Sequence, residues 1–454
     1  MANDSVIGKI PEHWETVTLG GVCSRGGGSI QTGPFGSQLH ASDYVQVGVP
    51  SIMPTNIGDN RIVEEGIVRV AEADANRLSK HRVIAGDIIY SRRGDVEKRA
   101  LIRDKESGWL CGTGCLKVRF GTGVVDPVYA SFLLGHENIR RWIVRHAVGA
   151  TMPNLNTSIM SAVPFVLPPI SEQRAIAHIL GTLDDKIELN RQMNETLEEM
   201  ARAVFKSWFV DFDPVRAKAE GRQPTGMDAA TAALFPNRFV DSQLGEIPEG
   251  WQCCSLLAVV NLLSGGTPKT SEPSYWGGAI PWVSAKDVSQ CGTTFLITTD
   301  RTITPDGLEG SSTKMIPRYA SVVVARGATT GRFSMLAEAM AMNQTCYAIT
   351  PRDGRTPFFV NGLLHQTVRQ LIHAAHGSVF DTITTKTFEN SRSICPSPSV
   401  RDAYESQVEH LFLRIVANLR ESALLAEMRD TLLPKLISGE LRTLDAEKLI
   451  GDAV

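Results

Sequence analysis

Ile7-Gly8-Lys9-Ile10-Pro11-Glu12-His13-Trp14 returns 237 residues later as Leu244-Gly245-Glu246-Ile247-Pro248-Glu249-Gly250-Trp251. An echo over so long an offset points to two copies of one structural unit in tandem. Further into each copy, Val83-Ile84-Ala85-Gly86-Asp87-Ile88-Ile89-Tyr90-Ser91-Arg92-Arg93-Gly94 parallels the stretch from Met315 to Gly327. Each reads as a turn, an apolar strand and a basic Arg-Gly end. Near the close of each copy, Ala147-Val148-Gly149-Ala150-Thr151 leads through a Thr/Asn segment to an apolar strand ending at Pro168. Its counterpart starts at Ala375-His376-Gly377-Ser378 and reaches Pro396.

Beyond those prolines the offset settles at 228 through a long helical pattern. The first copy places Ile176, Leu180, Leu183, Ile187, Asn190, Asn194, Leu197, Ala201, Val204 and Trp208 at alternating spacings of four and three. The second sets Tyr404, Val408, Leu411, Ile415, Asn418, Ser422, Leu425, Arg429, Leu432 and Leu436 in the same phase. That alternation is a heptad seam. Ser171 is the expected cap of the first helix, with Glu172 near its amino-terminal dipole, and Pro398 or Ser399 marks the start of the second. A helix of about 36 residues extends roughly 54 Å, more than one small domain buries. Pairing as an antiparallel coiled coil, with the asparagines fixing register, is the economical arrangement. The alternative is two separate edge helices.

The expected fold class is therefore α+β: two tandem β-rich domains, each followed by a long helix. Residues 1–170 form the first domain, which includes a helix expected from Asp126 to Val144, and 171–210 form the first helix. Residues 211–243 are a connector with an Ala-rich helical turn near Met227 to Leu234. The second domain spans 244–398, the second helix 399–438, and a tail 439–454.

Composition narrows the function classes. The 454 residues carry 46 Lys+Arg against 49 Asp+Glu, with 43% hydrophobic and 21% charged content. These proportions suit a packed protein and argue against a disordered polyelectrolyte. No long uncharged apolar run appears, and Met1-Ala2-Asn3-Asp4 lacks a secretory pattern, so the expected address is the cytoplasm, with no membrane partner. The eight cysteines are dispersed and read as buried free thiols. Cys111 and Cys115 lack the second close pair of a zinc ribbon, so no metal site is expected.

The near balance of charge hides local basic segments. Arg77 to Lys105 holds nine Lys/Arg and four acids, while Ser311 to Arg332 holds Lys314, Arg318, Arg326 and Arg332 with no acid. Strand-end arginines with small polar neighbours suit phosphate and base-edge contacts, although a charge run is also compatible with a plain solvated surface. Candidate contacts are Arg92, Arg93, Lys98, Arg99, Asn154, Asn156 and Thr157 in the first copy. In the second they are Lys269, Lys286, Lys314, Arg326, Thr329, Thr330, Thr385 and Lys386. The loops Gly33-Pro34-Phe35-Gly36-Ser37 and Ser264-Gly265-Gly266-Thr267-Pro268-Lys269 are either close-approach loops or ordinary turns.

Catalytic signatures are sparse. Gly26-Gly27-Gly28-Ser29 lacks the Gly-Lys-Ser/Thr ending of a phosphate loop. His136, His146, His365, His373 and His376 are scattered without a carboxylate-histidine metal motif. Leu167-Pro168-Pro169-Ile170 lacks the amide and aromatic of an Asn-Pro-Pro-Tyr methyltransferase segment. No catalytic residue is assigned.

The ordered set of Ile10-Pro11-Glu12-His13-Trp14, Ile247-Pro248-Glu249-Gly250-Trp251, Pro168-Pro169-Ile170-Ser171-Glu172-Gln173 and the closing run Leu432 to Leu441 resembles the specificity subunit of type I restriction-modification enzymes over nearly the whole chain. The resemblance implies two target-recognition domains that contact a bipartite sequence in double-stranded DNA. It also implies a helical spacer that docks two modification subunits, with two restriction subunits joining the full complex. S-adenosylmethionine, ATP and Mg2+ then belong to those partners, and this chain is non-catalytic. A coiled-coil scaffold without DNA contact is the alternative. The second copy departs from the pattern at Pro396-Ser397-Pro398-Ser399-Val400. Recognition loops also differ between copies, as in Lys98-Arg99 against the Arg-free Thr293 to Thr299, so different half-sites are expected.

Overall fold

The structure, a computed structural model, describes residues 3–149, 151–376 and 382–451. Of the repeated segments above, Ala150, Gly377 and Ser378 lie outside the described residues, as do the side chains of His373 and His376. The chain divides into two compact units, Met1–Ile187 with Leu424–Val454, and Glu188–Ala423. These units cut across the tandem copies. Each takes the near end of one long helix and the far end of the other.

Both helices run 40 residues, Ile170–Phe209 and Pro398–Ile437. The first begins one residue ahead of the expected Ser171 cap. Glu172 and Gln173 N–H groups donate to Pro169 O at 2.9 and 3.0 Å, and the buried Gln173 amide holds Pro168 O at 2.8 Å. In the first unit, Ile176, Leu180 and Leu183 bury with Leu425, Leu432 and Leu436 in one core, with Ile187 packed at its margin. Arg429 breaks the apolar phase by donating to Asp184 Oδ1 at 2.7 Å. In the second unit, Val408, Leu411 and Ile415 are buried and Leu197 and Val204 pack against them. There Asn190 Nδ2 donates to Glu421 Oε2 at 2.8 Å, Asn418 Nδ2 to Asn194 Oδ1 at 2.8 Å, and the Tyr404 hydroxyl to Ala201 O at 3.4 Å. Rising numbers on one helix meet falling numbers on the other, so the seam is antiparallel, as its shared phase predicts.

In the first domain, one sheet orders Gly27–Thr32, Cys115–Gly121, Ile88–Ser91 and Arg99–Leu101, and another orders Leu110–Cys111, Val49–Ile52, Val68–Val70 and Tyr44–Val45. Ile88-Ile89-Tyr90-Ser91 is buried throughout, as expected for a β-branched and aromatic run inside a covered sheet. The sequence signatures converge here. Trp14 N–H closes a turn on Pro11 O at 3.0 Å, its indole donates to Glu172 Oε2 at 3.0 Å, and Gly439 packs against Pro11 and Trp14. The helix expected from Asp126 to Val144 is two helices, Pro127–Gly135 and Glu137–His146. His136 takes an extended backbone between them, and its ring accepts from Asn138 N–H, which starts a new helix.

The second domain orders Val260–Ser264, Cys346–Pro351, Ser321–Val324, Phe333–Leu336 and Phe295–Leu296 in one sheet, and Arg301–Ile303, Trp276–Val283, Met340–Met342 and Met315–Ile316 in the other. Strand pairs at matching places flank both domains, Glu15–Thr18 with Pro164–Leu167 and Gln252–Ser255 with Arg392–Cys395. The second pair corrects the free-thiol expectation for two of the eight cysteines, the other six being free. It brings Cys254 and Cys395, 141 residues apart, to a Cα separation of 6.4 Å, where they form a disulfide. Dispersion along the chain carries no information about a pairing set by strand register. In the connector, Asp213–Ala219 and Ala229–Ala233 are helical, the latter inside the expected Ala-rich turn.

Each domain also docks a helix onto the long helix of its unit. In the first, Gln173 Oε1 accepts Asp126 N–H at 2.9 Å, at the start of Pro127–Gly135. In the second, buried Glu405 accepts Phe358 and Phe359 N–H at 2.9 Å each, at the start of Pro357–His376.

Candidate nucleic-acid interface

The Arg-Gly strand ends are built alike in both domains. In the first, Arg92 N–H donates to Gly114 O at 2.8 Å, and Arg92 O accepts Leu155 N–H at 2.9 Å. The strand end is thus held between the Gly112–Gly114 turn and the segment that carries Asn154, whose backbone bridges Arg93. In the second, Ala325 N–H donates to Thr345 O at 2.9 Å and Ala325 O accepts Ile383 N–H at 2.9 Å. Arg93 therefore corresponds to Arg326, and Leu155 to Ile383. Asn156 caps Thr157–Ala162 by accepting Ile159 N–H at 2.7 Å, as Thr384 caps Thr385–Asn390. Both anchoring residues, Leu155 and Ile383, are fully buried. The arginines beside them are exposed and form no ion pair among the described residues.

Around Arg93, the Arg92 guanidinium donates to Leu155 O at 3.1 Å and lies 5.7 Å from the exposed Phe35 ring, within cation–π range. Asn154 Oδ1 is buried without a hydrogen-bond partner among the described residues. Thr157 is exposed at the start of its short helix. Around Arg326, Met342 O accepts both Gly266 N–H at 2.9 Å and the Thr313 hydroxyl at 2.8 Å. Those bonds bring Lys269 and Lys314, both exposed, to the same loop cluster as Arg326. Thr385 and Lys386 are exposed on the helix that follows Ile383.

Other candidates are engaged inside their domains. Arg99 Nε donates to Ser131 O at 2.8 Å, and burial pushes its pKa down. Lys98 lies 3.7 Å from Asp95, and Lys286 pairs with Asp300 at 2.9 Å. Thr329 accepts from the Ser289 hydroxyl at 2.6 Å, and the Thr330 hydroxyl donates to Gly327 O at 2.7 Å. Much of the first basic segment is likewise neutralised, with Arg77 on Asp74, Arg82 on Glu72 and Lys105 on Glu64. The glycine loops are explained by their own fold. A Cβ at Gly33 would sit 2.1 Å from Gly112 O, and one at Gly265 would sit 2.0 Å from Met342 O. The close approach is to the chain's own backbone.

Burial pushes the Cys111 thiol up to about 12 and Cys115 well above its usual value. Protonated thiols are poor metal ligands. Among the described residues, no group of three His, Cys, Asp or Glu is placed to hold a metal, and no helix is long and apolar enough to cross a membrane.

Residues 11–199 and 248–398 match the family described as type I restriction modification DNA specificity domain. The chain belongs to this family. Its relatives include the type I restriction enzyme HindI specificity subunit of Haemophilus influenzae, 28% identical over 86% of this chain and 95% of the relative. The MjaIX specificity subunit of Methanocaldococcus jannaschii is 24% identical over 96% of this chain and 95% of its own length. The crystal structure of a type I restriction-modification S subunit from M. genitalium shares the fold, with a TM-score of 0.59, 16% identity, and coverage of 94% of this chain and 96% of that one. Membership gives this chain the DNA-specificity role in type I restriction modification.

Two features had little signal in the sequence. Phe35 stands out only as an aromatic inside a glycine turn, and Gln344 only as an amide in the polar run Asn343-Gln344-Thr345.

Proposed function

We propose that this specificity subunit recognises a bipartite duplex target, with one half-site read by each domain. The helix pair sets the separation of the half-sites and carries two modification subunits, and two restriction subunits join for cleavage. The observation that supports this reading is the matched construction of the two strand ends. One backbone hydrogen-bond pattern presents Arg93 in the first domain and Arg326 in the second, beside different loop side chains. Phosphate contacts from these arginines supply affinity and register, and neighbouring loop side chains supply sequence. S-adenosylmethionine, ATP and Mg2+ serve the partner subunits. The test is footprinting of duplex DNA by this chain with its modification subunit. Two short protected segments separated by an unprotected spacer are expected, and one continuous segment contradicts the reading.

A further inference from the structure

The second domain holds one side chain out of an otherwise clamped turn. Asn343-Gln344-Thr345 joins strand Met340–Met342 to strand Cys346–Pro351. Asn343 N–H donates to Val283 O at 2.9 Å. Asn343 Oδ1 accepts Thr345 N–H at 3.1 Å and the Thr345 hydroxyl at 2.8 Å, and Thr345 O accepts Ala325 N–H at 2.9 Å. Both flanking residues are thus tied into the sheets, and Gln344 is the exposed member of the three. Its Oε1 accepts from the Thr267 hydroxyl, which restricts the amide. Thr267 sits on the loop that carries Lys269. Ala325, on the other side, precedes Arg326.

We propose that Gln344 is a base-reading side chain of the second domain and that the base it selects is adenine, read in the major groove. A glutamine amide offers one acceptor and one donor in a plane, which matches the adenine N6 amino group and N7. Thr267 occupies one lone pair of Oε1. The exposed Gln344 keeps its other lone pair and its Nε2 donors for a base, and the bond to Thr267 reduces the side-chain entropy lost on contact. Lys269, on the loop of Thr267, and Arg326, next to Ala325, are exposed positive charges on the two segments bonded to this turn, suited to phosphates near a read base. The equivalent turn of the first domain, Gly112-Thr113-Gly114, carries no amide, and its Thr113 hydroxyl is buried. The two domains therefore differ in base preference at this one equivalent place.

The proposal rests on the DNA-recognition reading above, and the experiment separates the two. Complexes of the chain with its modification subunit are used to select from a duplex library randomised through the binding window, and the bound DNA is sequenced. With wild type, a two-part consensus with adenine at a fixed position of one part is expected. Gln344→Ala flattens that position by about tenfold or more, leaving the other part as an internal control of folding. Gln344→Glu, which keeps the acceptor and loses the donor, shifts the preference there toward cytosine. A consensus unchanged in Gln344→Ala, or an equal loss across all positions, overturns the role of Gln344 while leaving bipartite recognition standing. A wild-type complex that selects no two-part consensus overturns both.

Discussion

The turns Gly112-Thr113-Gly114 and Asn343-Gln344-Thr345 occupy the same place in the two domains, receive the same bond from the arginine-bearing strand end, and match at no position. The contrast separates what the fold needs from what it leaves open. Backbone bonds tie both ends of the turn into the sheets, so the side chain at its tip, Thr113 or Gln344, varies without cost to the sheet. The docking of Pro127–Gly135 and Pro357–His376 makes a second contrast. The first unit uses the amide of Gln173, and the second uses the titratable carboxyl group of Glu405. Two copies of one unit thus keep the scaffold and diverge in chemistry.

The most forceful way to break the comparison is through the cores. Leu180 and Ile415 are fully buried, one in each unit. Leu180→Ala and Ile415→Ala each cost about 2–5 kcal/mol. Hydrogen exchange should show the larger loss of protection in the unit that carries the substitution. Equal losses in both units for both variants would mean that the two cores unfold as one.

A smaller effect of opposite sign is expected at the polar seam. Asn418 is buried in the second unit, and its Oδ1 lacks a partner among the described residues. Asn418→Leu should raise stability by about 1 kcal/mol in thermal melts while relaxing the register that the asparagines specify. A lower melting temperature would show that the bond to Asn194 outweighs the unpaired oxygen.

The smallest effect sharpens the contrast between Gln173 and Glu405. Burial raises the Glu405 pKa to about 8, against the lowering effect of the Phe358 and Phe359 N–H groups. Between the ordinary carboxylate range and about 8, the folded unit keeps a proton that the unfolded chain has released, so stability falls as pH rises through that window. Glu405→Gln should flatten this fall in protection of Pro357–His376 as pH rises to about 8. An unchanged slope would place the proton elsewhere.

The organisation of the molecule was legible in the sequence wherever it rests on local periodicity. The spacings of four and three from Ile176 to Leu197 and from Val408 to Leu432 found the antiparallel seam. The apolar runs before Arg92 and Ala325 found the buried strands. What was illegible depends on distant pairing. Strand register brings Cys254 to Cys395, and the crossing of the helices distributes each tandem copy over two compact units. An extended backbone at His136 divides a helix that its composition would continue. Among the candidate contacts, Arg99 and Arg93 look alike in sequence. Packing against Ser131 and Gly135 alone turns Arg99 inward, while Arg93 remains exposed.

The central claim is that each domain reads its own half-site, and footprinting the modification complex with Arg93→Ala and with Arg326→Ala tests it most directly. Each substitution is expected to weaken binding by about ten- to a hundredfold, with protection fading first over one segment, and over a different segment for each variant. Loss over the same segment in both variants, or unchanged protection in both, would contradict it.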